Sequence, residues 1–157
     1  MPARAAGVGR RHRLLDHTAD VGLEAEGPDL PAAFVEAALA LAELTAEPGP
    51  AGDAEGGASE ATAPISLEAA DLVGLAYAWL NELVGRIDVD GALTSVAVER
   101  VGADPAGGGW HLVGRVATRP FDDRRVRRRH DVKSATLHGL TVEPSLDGWR
   151  LVAILDI

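Results

Sequence analysis

The order in which the apolar residues change their spacing constrains this fold more than any other feature of the sequence. Phe34, Ala37, Ala38, Leu41 and Leu44 recur at steps of three and four, as do Leu72, Leu75, Ala76, Trp79, Leu80 and Leu83. Each set makes one apolar stripe on a helix, and such a stripe needs a core to face. Asp29 precedes the first stripe and can accept free backbone N–H groups at a helix start, with Pro31 in the first turn where proline is tolerated. Asp71 opens the second helix. Most of what remains alternates with period two. Residues 14–15 and 21–26 make two short strand segments around the polar turn 17–20, and residues 63–67 a third. Residues 93–101 and 110–118 flank the flexible turn 104–109, and residues 132–142 and 149–157 flank the turn 144–148. Both pairs read as hairpins. Two helices among about six or seven strands predict an α+β fold, a single domain with two main helices packed on a largely antiparallel β-sheet.

The 157 residues suffice for one core. Residues 47–63 are rich in Gly, Pro, Ala and Glu without periodicity, so a mobile loop is expected there. Residues 1–13 are expected to form a flexible N-terminal tail ahead of a domain spanning 14–157. Their basic residues are not followed by an apolar run, unlike a secretory signal. No cysteine is present, which excludes disulfides, thiolate zinc sites and cysteine nucleophiles and fits a reducing cytoplasm. No stretch approaches the roughly 18 apolar residues of a membrane span. The net charge of −9 makes the surface as a whole a poor grip for a phosphate backbone, so RNA contact should be indirect or weak. Against that background Arg124, Arg125, Arg127, Arg128 and Arg129 stand out. They read as a solvated basic loop, with a contact to RNA or to an acidic partner as the alternative.

The chain's two ends carry the most informative chemistry. In the last strand Leu151, Ala153, Leu155 and Ile157 point one way and Val152, Ile154 and Asp156 the other. Both faces are apolar, so the strand should be central and covered on both sides. Yet it ends in the Asp156 carboxylate beside the α-carboxyl of Ile157. Adjacent negative charges there repel unless they are solvated, protonated or bridged by a cation. Asp20 supplies a third carboxylate if the N-terminal strands lie beside the C-terminal one. Three hard oxygen donors suit Ca²⁺ or Mg²⁺ better than zinc. The plainer alternatives are a frayed chain end at Asp156 and an Asp20 that satisfies backbone donors in its turn.

Four segments in order resemble the archease family. They are Asp16-His-Thr-Ala-Asp-Val-Gly-Leu-Glu-Ala-Glu-Gly27, then Trp79-Leu-Asn-Glu-Leu83 with Ile87-Asp-Val-Asp-Gly91. Asp131-Val-Lys-Ser-Ala-Thr-Leu-His-Gly-Leu140 follows, and last Gly148-Trp-Arg150 with Ile154-Leu-Asp-Ile157. The resemblance covers nearly the whole chain from about Leu14. It implies an accessory protein, not an enzyme, that activates an RtcB-type RNA ligase. Such a ligase guanylylates its own histidine and joins RNA ends in tRNA splicing and RNA repair, and archease helps it reload for multiple turnover. The family's metal-binding positions carry over as Asp20, Asp156 and the carboxylate of Ile157, with Ca²⁺ the expected ion and Mg²⁺ or Mn²⁺ alternatives. Two departures stand out: Leu137 where a tyrosine is common, and Ala78 where an acidic residue is common. The first 13 residues and the loop near Pro48 also run long.

Other residues are placed by their chemistry. His17 either lines the site or braces its turn. Lys133 and His138 are candidates for support or partner contact. Five residues apart, they point to opposite faces of a regular strand, and only a bulge, for which Gly139 is a candidate, would bring both to one site. Lys133 could instead neutralise a buried carboxylate. Glu82 and Asp88 read as solvated helix-end charges. Two rival functions remain. One is a metal-dependent hydrolase using His17, Asp20, His138 and Asp156; the other is a metal-independent chaperone or adaptor of nucleic-acid-processing enzymes.

Overall fold

The computed structural model describes residues 9–16, 20–51 and 60–157. Two helices form where the apolar stripes and caps demand them. In α1 (Leu30–Thr45) the Asp29 carboxylate accepts the Ala32 N–H at 2.8 Å, and in α2 (Leu72–Asp90) the Asp71 carboxylate accepts the Gly74 N–H at 2.6 Å. α1 is buried on nearly every side, Glu36 and Thr45 included. A helix enclosed all round must lie inside the molecule rather than on it.

The strands explain why. β1 (Arg11–Asp16), β2 (Asp20–Gly27), β8 (Ser134–Ser145) and β9 (Gly148–Asp156) form a four-stranded sheet in the order β1-β2-β9-β8. β4 (Ala61–Ala69), β5 (Ala92–Ala103) and β6 (Trp110–Arg119) form a second sheet in the order β4-β6-β5. All named pairs are antiparallel. α1 packs on β2 of the first sheet and β5 of the second, while α2 packs on β8, β4 and β6. The helices thus form a middle layer, and the α+β architecture is as expected, with these seven strands divided between two sheets. Leu23, Leu41, Leu75, Trp79, Leu112, Leu151 and Leu155 fill the core. The indole N–H of Trp79 donates to the Phe34 carbonyl at 3.0 Å and ties the helices together. Among the described residues no helix is long and apolar enough to cross a membrane.

Several expected boundaries move. The first strand begins at Arg11, inside the stretch expected to be tail, because Arg11 and Arg13 face Glu26 and Glu24 across the hairpin and pair with them. Residues 1–8 lie outside the described region. The loop expected over 47–63 loses both ends to strands: β3 (Ala46–Pro48) continues directly from α1, and β4 starts at Ala61. Residues 52–59 lie outside the described region. Part of the basic loop is also strand, since β7 (Val126–Arg128) pairs with β3 and sets Arg127 opposite Glu47. Finally, β9 is central in its sheet, but only Leu151, Ala153 and Leu155 are fully covered. Val152 and Ile154 are half-buried, because their face of the sheet is the outer one and has no helix over it.

Candidate functional site

Register places the two aspartates. β2 lies antiparallel to β9 with Asp20 opposite Asp156, and β8 sets Ser134 on the other side of Asp156. Direct cross-strand neighbours hold their Cβ atoms roughly 4.5–5.5 Å apart and share a face. Both carboxylates are half-buried, and Ile157 is 39% exposed beside them. Among the described residues neither aspartate has an ion-pair partner. Like charges set opposite each other without a cation are unfavourable. The donor set is all oxygen, open on the solvent side and part of no closed cage, since no three His, Cys, Asp or Glu side chains of the described residues gather as a metal cluster. Those donors fit a hard cation that keeps several ligands from water or a partner.

The backbone beneath the aspartates is firmly held. The Lys133 N–H donates to the Asp156 carbonyl at 2.8 Å, so Lys133 reaches the site through its main chain. Two residues further, Asn81 of α2 joins the β8 backbone: its Nδ2 donates to the Ala135 carbonyl at 3.2 Å and its Oδ1 accepts the Ala135 N–H at 3.0 Å. Asn81 falls in the Trp79–Leu83 segment, but its role could not be read there, because an amide that completes a sheet edge has no local signature. The Lys133 side chain is exposed. It lines a cleft of ≈ 430 Å³ with Asn81, Asp88 and Asp131, and no ion pair holds it among the described residues.

A bulge does interrupt β8 at Gly139. The β8–β9 register jumps between Thr136 and Thr141, and Gly139 adopts φ +73, a conformation suited to glycine. The bulge turns His138 out into solvent, where its carbonyl accepts the Thr136 hydroxyl at 3.3 Å. His138 and Lys133 are both exposed, and nothing joins either side chain to Asp20 or Asp156. His17 lies outside the described residues.

Further along the same sheet face the charges are arranged differently. Glu24 is 7% exposed and held by three guanidinium hydrogen bonds, two from Arg13 at 2.9 and 2.7 Å and one from Arg150 at 2.9 Å. The Arg150 bond is the main cause that lowers the Glu24 carboxyl below its ordinary value, against the opposing effect of burial. Arg11 binds Glu26 at 2.6 Å. Gly22 stands between this ladder and Asp20; a Cβ there would lie 2.8 Å from Cβ of Leu15, so the strands close tightly between the two charge groups. On the inner side of β1, His12 spans two helix carboxylates, with Nδ1 2.8 Å from Glu36 and Nε2 2.7 Å from Glu43. Burial pushes the imidazole down, but bonds to both carboxylates outweigh it, and its pKa is raised.

Comparison with known proteins agrees with this architecture. The model of the Archease protein family matches residues 12–157. The protein archease of Archaeoglobus fulgidus is 30% identical over 94% of this chain and 99% of its own length. That of Methanosarcina barkeri is 25% identical over 95% of this chain and 97% of its own. The solution structure of protein 1598 of Methanobacterium thermoautotrophicum superposes with a TM-score of 0.66 at 29% identity, covering 93% of this chain and 98% of that one.

Proposed function

Because the chain belongs to the archease family, we propose that it is an accessory protein that activates an RtcB-type RNA ligase and holds a divalent cation with Asp20, Asp156 and the carboxylate of Ile157. The observation that carries the reading is the β2–β9 register, which sets Asp20 and Asp156 side by side, with no neutralising cation among the described residues. Their half-exposed position lets both carboxylates meet a partner's cleft without unfolding anything.

Each residue has a distinct part. Asp20 and Asp156 present oxygens from two adjacent strands, and the α-carboxylate of Ile157 adds a third donor at the strand end. A bound cation would supply positive charge for phosphate oxygens of the ligase's nucleotide, which orients them for attack by the ligase histidine. The Lys133 N–H fixes the Asp156 backbone, and Asn81 fixes the strand next to it. Positional accuracy of this kind is what an activator that does no covalent chemistry can contribute. Ca²⁺ suits the oxygen donors, and Mg²⁺ or Mn²⁺ could replace it.

The test is multiple-turnover RNA ligation and self-guanylylation by a purified RtcB-type ligase, with and without this protein. The wild type should raise turnover, while Asp20→Ala and a variant with residues added after Ile157 should leave the ligase at its unaided rate. A wild type that never stimulates its cognate ligase, or an Asp20→Ala protein that stimulates fully, ends this reading.

A further inference from the structure

Six arginines lie between positions 119 and 129 of a chain whose net charge is −9. The fold does not leave them as a loose basic loop. The β3–β7 ribbon, the end of β6 and the start of β5 enclose a pocket of ≈ 230 Å³ lined by Glu47, Thr94, Arg119, Arg125 and Val126 among others. Arg119 Nε is buried there and has no hydrogen-bond partner among the described residues, although the far end of the same guanidinium lies 3.7 Å from Glu60. A buried donor without a partner is costly, and an acceptor seated in the pocket would remove that cost. Thr94 falls where the β5–β6 register shifts between Leu93 and Ser95, outside the regular ladder, and adds a hydroxyl to the lining.

The pocket is pre-organised. Gly49 and Ala51 donate backbone N–H groups to the carbonyls of Arg125 and Arg124 at 2.7 and 2.6 Å. The Asp122 side chain accepts the Arg124 N–H at 2.7 Å, and the Asp122 carbonyl accepts those of Arg125 and Val126. Arg127, Arg128 and Arg129 are engaged with Glu47, Asp131 and the Glu43 carbonyl. Arg124 and Arg125 have no such partner among the described residues. Two residues along β7 from Val126, the Arg128 guanidinium carbon sits over the Phe121 ring, 4.5 Å from its centroid. A stacked planar surface next to an anion pocket suits a base and its phosphate better than a carboxylate side chain.

We propose that this pocket binds a backbone phosphate of single-stranded RNA through Arg119 and Arg125, with Thr94 as a further donor and the Arg128–Phe121 stack receiving a neighbouring base. The acidic remainder of the surface confines RNA to this one place, so affinity should be modest and strongly salt-dependent. The site lies on elements that do not carry Asp20 or Asp156, and the inference is independent of the ligase reading.

Fluorescence polarisation with an end-labelled single-stranded RNA, in EDTA and without ligase, tests it. Wild type should bind, inorganic phosphate should compete, and Arg125→Gln should weaken binding about tenfold, in line with loss of one charged hydrogen bond. The same variant should flatten the salt slope by about 0.7. Arg119→Gln should weaken binding at least as much; since Arg119 Nε is buried and its loss could also disturb folding, Arg125→Gln decides. Arg86→Gln on α2 controls for net charge and should bind as wild type. RNA affinity unchanged in Arg125→Gln, equal loss in Arg86→Gln, or tighter binding of polyglutamate than of RNA would each overturn the proposal. Competition-free binding of inorganic phosphate without any RNA binding would overturn it as well.

Discussion

Along the outer face of the four-stranded sheet, β2 presents Asp20 at one end and Glu24 and Glu26 toward the other. Asp20 and Glu24 are separated by only about 13 Å of strand. At the Glu24 end every carboxylate meets arginine: Arg13 and Arg150 hold Glu24, and Arg11 holds Glu26. At the Asp20 end two carboxylates face each other across the ladder, and no described cation compensates them. The first arrangement satisfies its charges within the chain. The second leaves them for something else to satisfy, at some cost to the fold. The difference separates the part of this sheet face that stabilises the chain from the part where the proposed cation would sit.

That contrast can be broken in measurable ways. The largest effect should come from a cation. Ca²⁺ at a hundred times its dissociation constant should stabilise wild type by about 2.7 kcal/mol, a rise in Tm on the order of 5–10 °C for a chain of this size. Thermal melts of Asp20→Asn and Asp156→Asn should barely respond, and an equal shift in all three proteins would show that the ion binds elsewhere. Next, Glu24→Ala should cost about 2 kcal/mol in denaturant unfolding, because it strands two guanidinium groups and opens a buried position. Asp20→Ala, on the same strand and face, should cost nothing or add up to about 0.5 kcal/mol by relieving repulsion. Equal costs would mean that the two ends of this sheet face do not differ in how their charges are satisfied.

Smaller effects sharpen it by pH. Glu24 is lowered from 4.5, so its contribution is present above that value and is lost as pH falls through its folded pKa. His12 is raised from 6.5, so its contribution is full below 6.5 and is lost as pH rises through its folded pKa. Stability followed from pH 5 to pH 9 should therefore decline on the alkaline side, and His12→Asn should remove that decline at a cost of about 1 kcal/mol at low pH. A decline that persists in His12→Asn would assign it to another group.

Much of this molecule is legible without its coordinates. Asp29 and Asp71 mark their helix starts, and the turns at 104–109 and 144–148 mark two hairpins, because capping and turn chemistry act over a few residues. His12 and Asn81 were not legible. His12 acts by reaching two helix carboxylates seven residues apart, and Asn81 by pairing with a strand far along the chain. The Arg11/Arg13 and Glu24/Glu26 alternation was a usable signal, since opposite charges two residues apart on each arm of a hairpin fall into register.

Apolar periodicity and capping chemistry were enough for the two helices and the longer strands, and the four motifs for the family signature, while β3 and β7 escaped them. That Asp20 and Asp156 are neighbours is a product of strand pairing. Asp20 meets Asp156, and Glu24 meets Arg150, only because β2 pairs with β9 in one register, and a slip of one residue would turn each set to the opposite face. Local periodicity says which way a side chain alternates. It does not say which strand lies alongside, because that choice is made by the helices and the core that the whole sheet must cover.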